Sequence, residues 1–261
     1  MSLFVQENGS QTKPTLVFLH GAGLSSCMWE KQIQYFAPHY YCLAIDLPEQ
    51  GKSSAVKPFS IKSSADMIAD VIRHRATSGK AHVIGLSLGA QVLVQILAEH
   101  SDVLHSTVIN SALVQAMPFS LAVTRFLAPM ILPMTHWRWY ARIQAKAMGI
   151  LDEQFEMYFQ DSQKLALPSP PLSSVFIRIM SENMNFQIPP TLHSQTVPTL
   201  LLYGAREAGV MKNSAKDLQK LLPHAEMQIV PGAAHGFSLP MPDTFNAIVD
   251  NFLTRHSRQV A

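Results

Sequence analysis

The stretch His82-Val83-Ile84-Gly85-Leu86-Ser87-Leu88-Gly89-Ala90 decides how the rest of the chain is read. A short, mostly apolar run, 82–86 (HVIGL), passes through a single serine into the helical pattern 88–99, with Gly85 and Gly89 on either side. A serine at a strand-to-helix turn stands clear of its own backbone, and the strained turn needs glycine where neighbouring chains come close. Ser87 is therefore the candidate nucleophile. The alternative is an ordinary helix start with Ser87 as its cap, because Gly-x-Ser-x-Gly also recurs by chance.

The same alternation extends along the chain. Short apolar runs occur at 15–20 (TLVFLH), 40–47 (YYCLAIDL), 106–110 (STVIN), 199–203 (TLLLY) and 226–230 (EMQIV). Near-continuous apolarity is what strands buried on both faces of a parallel sheet require. Helical patterns lie between them at 28–36, 63–75, 88–99, 212–222 and 244–255. The expected class is α/β, a mostly parallel, doubly wound sheet with right-handed crossovers. One interval breaks this rhythm. Between Asn110 and Thr199 there is no clear strand, but several helix-like pieces punctuated by Pro118, Pro129, Pro133, Pro168, Pro170 and Pro171. So long a structureless loop is improbable, so residues 112–190 are expected to form an inserted helical cap on a core of 1–111 and 191–261. This interval holds seven of the 13 Met and two of the three Trp. It reads either as extra core packing or as a mobile lid whose Met side chains line an adaptable apolar pocket. Met134 and Trp137 are expected substrate contacts from it.

Composition narrows the classes of function. Among 261 residues, 48% are hydrophobic and 15% charged, and 20 Lys plus Arg face 18 Asp plus Glu, a formal charge of +2. That balance makes no overall case for nucleic acid or an anionic membrane as partner. Cys27 and Cys42 carry neither a disulfide framework nor metal spacing, and read as small buried hydrophobes. No secretory signal is visible at the N-terminus. The longest uncharged tract, 103–124, contains His105, Asn110, Gln115 and Pro118 and is not expected to span a membrane. A cytoplasmic location is the default expectation, and the oligomeric state is left open.

A serine hydroxyl needs an adjacent base. His235 sits in Pro231-Gly232-Ala233-Ala234-His235-Gly236-Phe237, a small-residue loop after a strand end, on the rim where Ser87 also falls. It is the expected base, against a structural loop histidine. A carboxylate on the same rim should orient the imidazole. Nothing acidic follows residue 110, where the chain reads Ser111-Ala112; Glu207 in Gly204-Ala205-Arg206-Glu207 is the choice, against a solvated carboxylate paired with Arg206. Oxyanion donors should be the backbone N–H groups of Leu88 and of Ala22 in His20-Gly21-Ala22-Gly23, with Gly23 beside the substrate. His20 reads better as a structural hydrogen-bonding group shaping that turn than as a catalytic one.

Five segments, LVFLHGAG (16–23), IDLPEQGKS (45–53), HVIGLSLGA (82–90), LLYGARE (201–207) and PGAAHGF (231–237), resemble the α/β-hydrolase superfamily, in its lid-bearing branch of esterases, lactonases and C–C bond hydrolases. They run through nearly the whole chain in the family's order Ser, acid, His. The resemblance implies an eight-stranded sheet with extra strands within 3–7 and no cofactor, and no His/Cys/Asp cluster in the sequence has ligand spacing for a metal. It implies a serine esterase acting on small to medium apolar esters through a Ser87–His235–Glu207 triad. The same residues would serve a C–C hydrolase, lyase or acyltransferase, and a ligand-binding protein could also keep the fold. Three departures stand out. Glu207 occupies a position usually Asp, Glu49-Gln50-Gly51 replaces the usual Gly-His-Gly near the entrance, and the elbow ends Gly89-Ala90 rather than Gly-Gly. Ser87 itself sets the chain apart from relatives with Asp at the elbow.

Overall fold

The structure is a computed structural model and describes residues 2–131, 137–147, 155–156, 159–160 and 171–257. Seven strands form one sheet in the order β1-β3-β2-β4-β5-β6-β7. They are β1 (Val5–Asn8), β2 (Thr15–Leu19), β3 (Tyr41–Ile45), β4 (Ala81–Leu86), β5 (Leu104–Asn110), β6 (Thr199–Gly204) and β7 (Glu226–Val230). β1 runs antiparallel to β3; every other pairing is parallel. The eighth strand implied by the resemblance is not found among the described residues. Residues 9–14 are spent on a turn, with Gly9 at φ +86° and Lys13 N–H donating to Ser10 O, so the edge gains β1 alone.

Alternation along the strands explains why their sequences look continuously apolar. Val17, Leu19, Leu43, Ile45 and Val83 join one buried cluster, while Leu16, Phe18, Cys42, Ala44 and Ile84 join a second. Successive side chains of a strand point to opposite faces, so both faces of the inner strands are covered, whereas β7, at the sheet edge with no neighbour beyond it among the described residues, leaves Met227 and Ile229 exposed and is not the doubly buried strand its sequence suggests. Helices α2 (Ile61–Arg75), α3 (Leu88–Glu99) and a later helix at Gly209–Leu221 supply Ile68, Val92 and Leu218 to the first cluster. Helix α1 (Glu30–Phe36) and the last helix, Pro242–Ser257, supply Ile33, Phe36, Phe245 and Phe252 to the second.

Between β5 and β6 the chain forms α4 (Pro118–Ile131), α5 (Arg138–Ala147) and α6 (Pro171–Asn185), which makes Gly209–Leu221 α7 and Pro242–Ser257 α8. Three polar links tie α6 to the core, and a fourth ties it to the start of the insertion. The Arg178 guanidinium donates to both Glu49 carboxylate oxygens at 2.8 and 2.7 Å. Glu182 accepts the Ile61 N–H at the start of α2, 2.8 Å, and Asn183 exchanges hydrogen bonds with Gln91, which is buried within α3. Met117 N–H donates to Met184 O at 2.8 Å. A lid able to swing as a whole is thus not what α6 resembles, since leaving the core would strip the buried Glu49 and Gln91 of their partners.

Candidate active site

The rim at the C-terminal ends of β2, β4, β6 and β7 collects the chemistry, as expected of an open α/β sheet. β4 ends at Leu86 and α3 begins at Leu88, so Ser87 alone makes the turn, at φ +53° and ψ −111°. Ser87 N–H donates to Asn110 O at 2.9 Å, and its own carbonyl accepts from Gln91 N–H. A Cβ on Gly85 would sit 2.5 Å from Gly89 O, and one on Gly89 would sit 2.4 Å from Leu19 O. Both glycines are therefore fixed by close backbone approach. A strained backbone held from several sides marks a functional position, because packing must supply what the conformation costs.

His235, in the loop after β7, faces Ser87: its Nε2 lies 3.1 Å from Ser87 Oγ. Its Nδ1 lies 3.2 Å from Glu207 Oε2, at the end of β6. A carboxylate can only accept there, so Nδ1 carries the proton and Nε2 is left to take one from the serine. The Glu207 side chain is fully buried. Its second oxygen, Oε1, accepts from Gly204 N–H at 2.8 Å and from Ser111 Oγ at 2.7 Å. Burial pushes this carboxyl's pKa up, but the hydrogen bonds from His235, Gly204 and Ser111 outweigh it and hold the group below its ordinary value. Glu207 is thus neither solvated nor among the partners of Arg206 among the described residues.

Ser111 is the residue that sequence reading passed over. It offers no acid, yet at φ +57° its hydroxyl donates to Glu207 Oε1 at 2.7 Å and also reaches Asn110 Oδ1 at 3.0 Å. A serine directly after a strand that neighbours both elbow and acid was the available signal.

The other rim segments fall around Ser87. A Cβ on Gly21 would lie 3.6 Å from Ser87 Cβ, so the turn 20–23 packs directly on the elbow. His20 Nδ1 donates to Gly21 O at 2.8 Å, and its Nε2 accepts the Leu47 N–H at 2.9 Å, which fixes one tautomer and fits a structural role. Ala22 is half-buried beside it, and Leu88 is the first residue of α3, where helix N–H groups have no partner within the helix. Gly23, at φ +74°, donates its N–H to Gln50 Oε1 at 2.9 Å. Gln50 is fully buried, so the position read as near the entrance instead braces this turn from beneath. Trp137 is 53% exposed and stacks on Trp139, with ring centroids 6.0 Å apart. Met134 lies outside the described residues.

Cys42 is not placed to compete as nucleophile: it is buried in β3 with its pKa pushed up to about 12 by burial. Asp66, Glu99 and His100 come close enough together to hold a metal, but Lys62 and Arg73 already pair with members of that surface group. No described helix is long and apolar enough to cross a membrane.

This site on this fold defines a hydrolase scaffold, and comparison with known proteins agrees. Residues 16–248 match the model of the alpha/beta hydrolase family, and the chain belongs to that family. Among curated relatives, the chain is 27% identical to the pimeloyl-[acyl-carrier protein] methyl ester esterase of Pectobacterium atrosepticum, over 91% of this chain and 93% of that one. It is 25% identical to carboxylesterase YbfK of Bacillus subtilis, over 94% and 82% of the two chains. Among solved structures, a thermophilic esterase from Thermogutta terrifontis superposes with a TM-score of 0.76 at 20% identity, covering 97% of this chain and 93% of that one.

Proposed function

We propose that this protein cleaves carboxylic esters of small to medium, largely apolar substrates through an acyl-enzyme on Ser87. Esterases are among its relatives, and the protein is a carboxylic ester hydrolase. The observation that carries the finer reading is the continuous line Ser87 Oγ, His235 Nε2, His235 Nδ1, Glu207 Oε2, with contacts of 3.1 and 3.2 Å. Those lengths are what an unliganded nucleophile–base pair shows.

In this mechanism Ser87 Oγ attacks the ester carbonyl carbon while its proton passes to His235 Nε2. The carbonyl oxygen becomes an oxyanion, received by the N–H groups of Leu88 and Ala22. Collapse of the adduct breaks the bond to the alkoxy oxygen, which leaves as the alcohol with the proton from His235. Water then gives its proton to His235, attacks the acyl carbon and frees the acid, and Ser87 recovers its proton. Glu207 keeps the imidazole turned and stabilises the imidazolium formed in each half. Ser111 and Gly204 hold Glu207 in place, and Gln50 holds the turn that carries Ala22. Residues 112–190 act as a cap that shapes the acyl pocket, with Gly23, Met134 and Trp137 as proposed substrate contacts on a core of 1–111 and 191–261.

A fluorophosphonate probe followed by peptide mass spectrometry tests the assignment. The label is expected on Ser87, and label on another residue overturns it. Turnover of a panel of acetate, longer acyl, lactone and vinylogous diketone substrates then tests the ester reading. A marked preference for the diketones over every ester would favour the C–C hydrolase alternative.

A further inference from the structure

The first two helices of the insertion carry apolar side chains out into water. On α4, Phe119 is 81% and Phe126 78% exposed, with Val123 exposed between them. Positions 119, 123 and 126 share one face of a helix. α5 buries Ala141 and Ala145 against the core and turns Trp139 and Ile143 outward, 57% and 58% exposed. A surface this apolar on an otherwise ordinary fold marks an interaction site.

The charge on α4 and α5 themselves is of one sign. The chain has no Asp or Glu between Asp102 and Asp152, but Arg125, Arg138, Arg142 and Lys146 fall there. Arg142 and Lys146 are exposed on α5, one turn apart, next to Trp139 and Ile143 in the helical row. Arg138 is bonded to Glu156 and lies over the Phe159 ring. Arg142 lies over the Phe155 ring, and since Glu156 neutralises Arg138, Arg142 and Lys146 are, among the described residues, the cations that the two helices leave to a partner.

We propose that α4 and α5 dock the protein peripherally on an anionic phospholipid surface. Phe119, Phe126, Trp139 and Ile143 enter the boundary between headgroups and acyl chains, and Arg142 and Lys146 meet the phosphates. Aromatic and aliphatic residues on one face, with Lys and Arg beside them, are what a helix lying in that interface requires. At 14 and 10 residues, α4 and α5 are too short to span a bilayer, so the contact is with its surface. An acidic protein would satisfy the same cations. It would also have to offer a fitted pocket to each phenylalanine standing four-fifths in solvent, whereas a fluid interface accepts protruding side chains without matched shape. The proposal is independent of which ester is cleaved.

Co-sedimentation of the intact protein with vesicles tests it, comparing phosphatidylcholine alone with an equal mixture of phosphatidylcholine and phosphatidylglycerol. Binding to the mixed vesicles is expected, weakened by salt and about tenfold or more weaker on phosphatidylcholine alone. The double variant Phe119→Ser/Phe126→Ser should lower the partition about tenfold or more. Arg142→Gln/Lys146→Gln should lower it about fivefold for each charge removed. Thermal melts and far-UV circular dichroism should stay at the wild-type level in both variants, which separates lost docking from lost fold. Failure of the wild type to bind the mixed vesicles, equal binding to both vesicle types, or unchanged binding by the phenylalanine variant overturns the proposal. So does capture of the protein by soluble polyglutamate that both phenylalanines can be removed without affecting, which would assign the face to an acidic protein.

Discussion

The rim of the sheet and the outer part of the insertion solve opposite problems. On the rim, each atom of the Glu207 carboxylate has a named donor and its side chain is closed to water, so the imidazole beyond it can hold one orientation. On α4 and α5, large apolar groups are left in solvent. α6 is tied to the core as well as to its neighbour α4, because Arg178, Glu182 and Asn183 bind it to Glu49, Ile61 and Gln91 while α4 packs along it. The lesson is that the insertion is not uniform. Its last helix is anchored by polar bonds to the core, and the exposed apolar groups belong to the helices before it.

Ser87→Ala breaks the comparison at its strongest point. Loss of the nucleophile should cut kcat by roughly 10⁴–10⁶, read with a chromogenic ester at saturating substrate, while the melting temperature stays near the wild-type value. Retention of full activity would remove the rim from the chemistry.

Glu207→Gln comes next. The amide keeps the size but can present an N–H to His235 and favour the wrong tautomer, so kcat should fall by about two to four orders of magnitude, on the order of 3–5 kcal/mol. Asp217 is the control. It lies inside α7, bonded to Gln115 and Lys220, and Asp217→Asn should remain active. An inactive Asp217→Asn beside an active Glu207→Gln would move the acid elsewhere.

Ser111→Ala removes one of two donors to Glu207 Oε1 without touching Ser87 or His235. The expected loss is about tenfold in kcat with KM little changed, the scale of one hydrogen bond to a charged group, 1.5–3 kcal/mol at most. A change in KM alone would make Ser111 a packing residue only.

Arg178→Met gives the smallest effect and tests α6. Glu49 is buried and Arg178 partly exposed, so the pair is worth about 1–2 kcal/mol once solvent screening is allowed for, read from denaturant unfolding at neutral pH. Burial pushes the Glu49 pKa up, but the Arg178 bonds and the Phe59 N–H prevail and lower it. A carboxyl with a depressed folded-state pKa contributes stability above its unfolded value, near 4.3, and loses it as pH falls through the folded value. The unfolded chain is common to both proteins, so the gap between wild type and Arg178→Met should be widest at neutral pH and narrow as pH falls, first as the variant's Glu49, left to the burial that raises its pKa, takes a proton, and finally as the wild-type Glu49 does. A gap that stays constant down to acid unfolding would mean that another group carries the link.

The sequence alone carried a good deal of this. Continuous apolar runs gave the buried parallel strands within a residue or two, and α3 and β7 fall at 88–99 and 226–230 as read. Ser87, His235 and Glu207 could be nominated because each sits directly past a strand end, and strand ends in a parallel sheet share a rim. Only the tertiary structure decided what surrounds them. Ser111 reaches Glu207 across 96 positions, Gln50 reaches Gly23 across 27, and Arg178 reaches Glu49 across 129. Such contacts leave no local period to read, because the sheet order, not spacing along the chain, brings those residues together. The exposed face of α4 and α5 was illegible for the opposite reason. Phe, Trp and Met in a helical pattern look the same whether a neighbour covers them or water does, and only the packed chain tells the two apart.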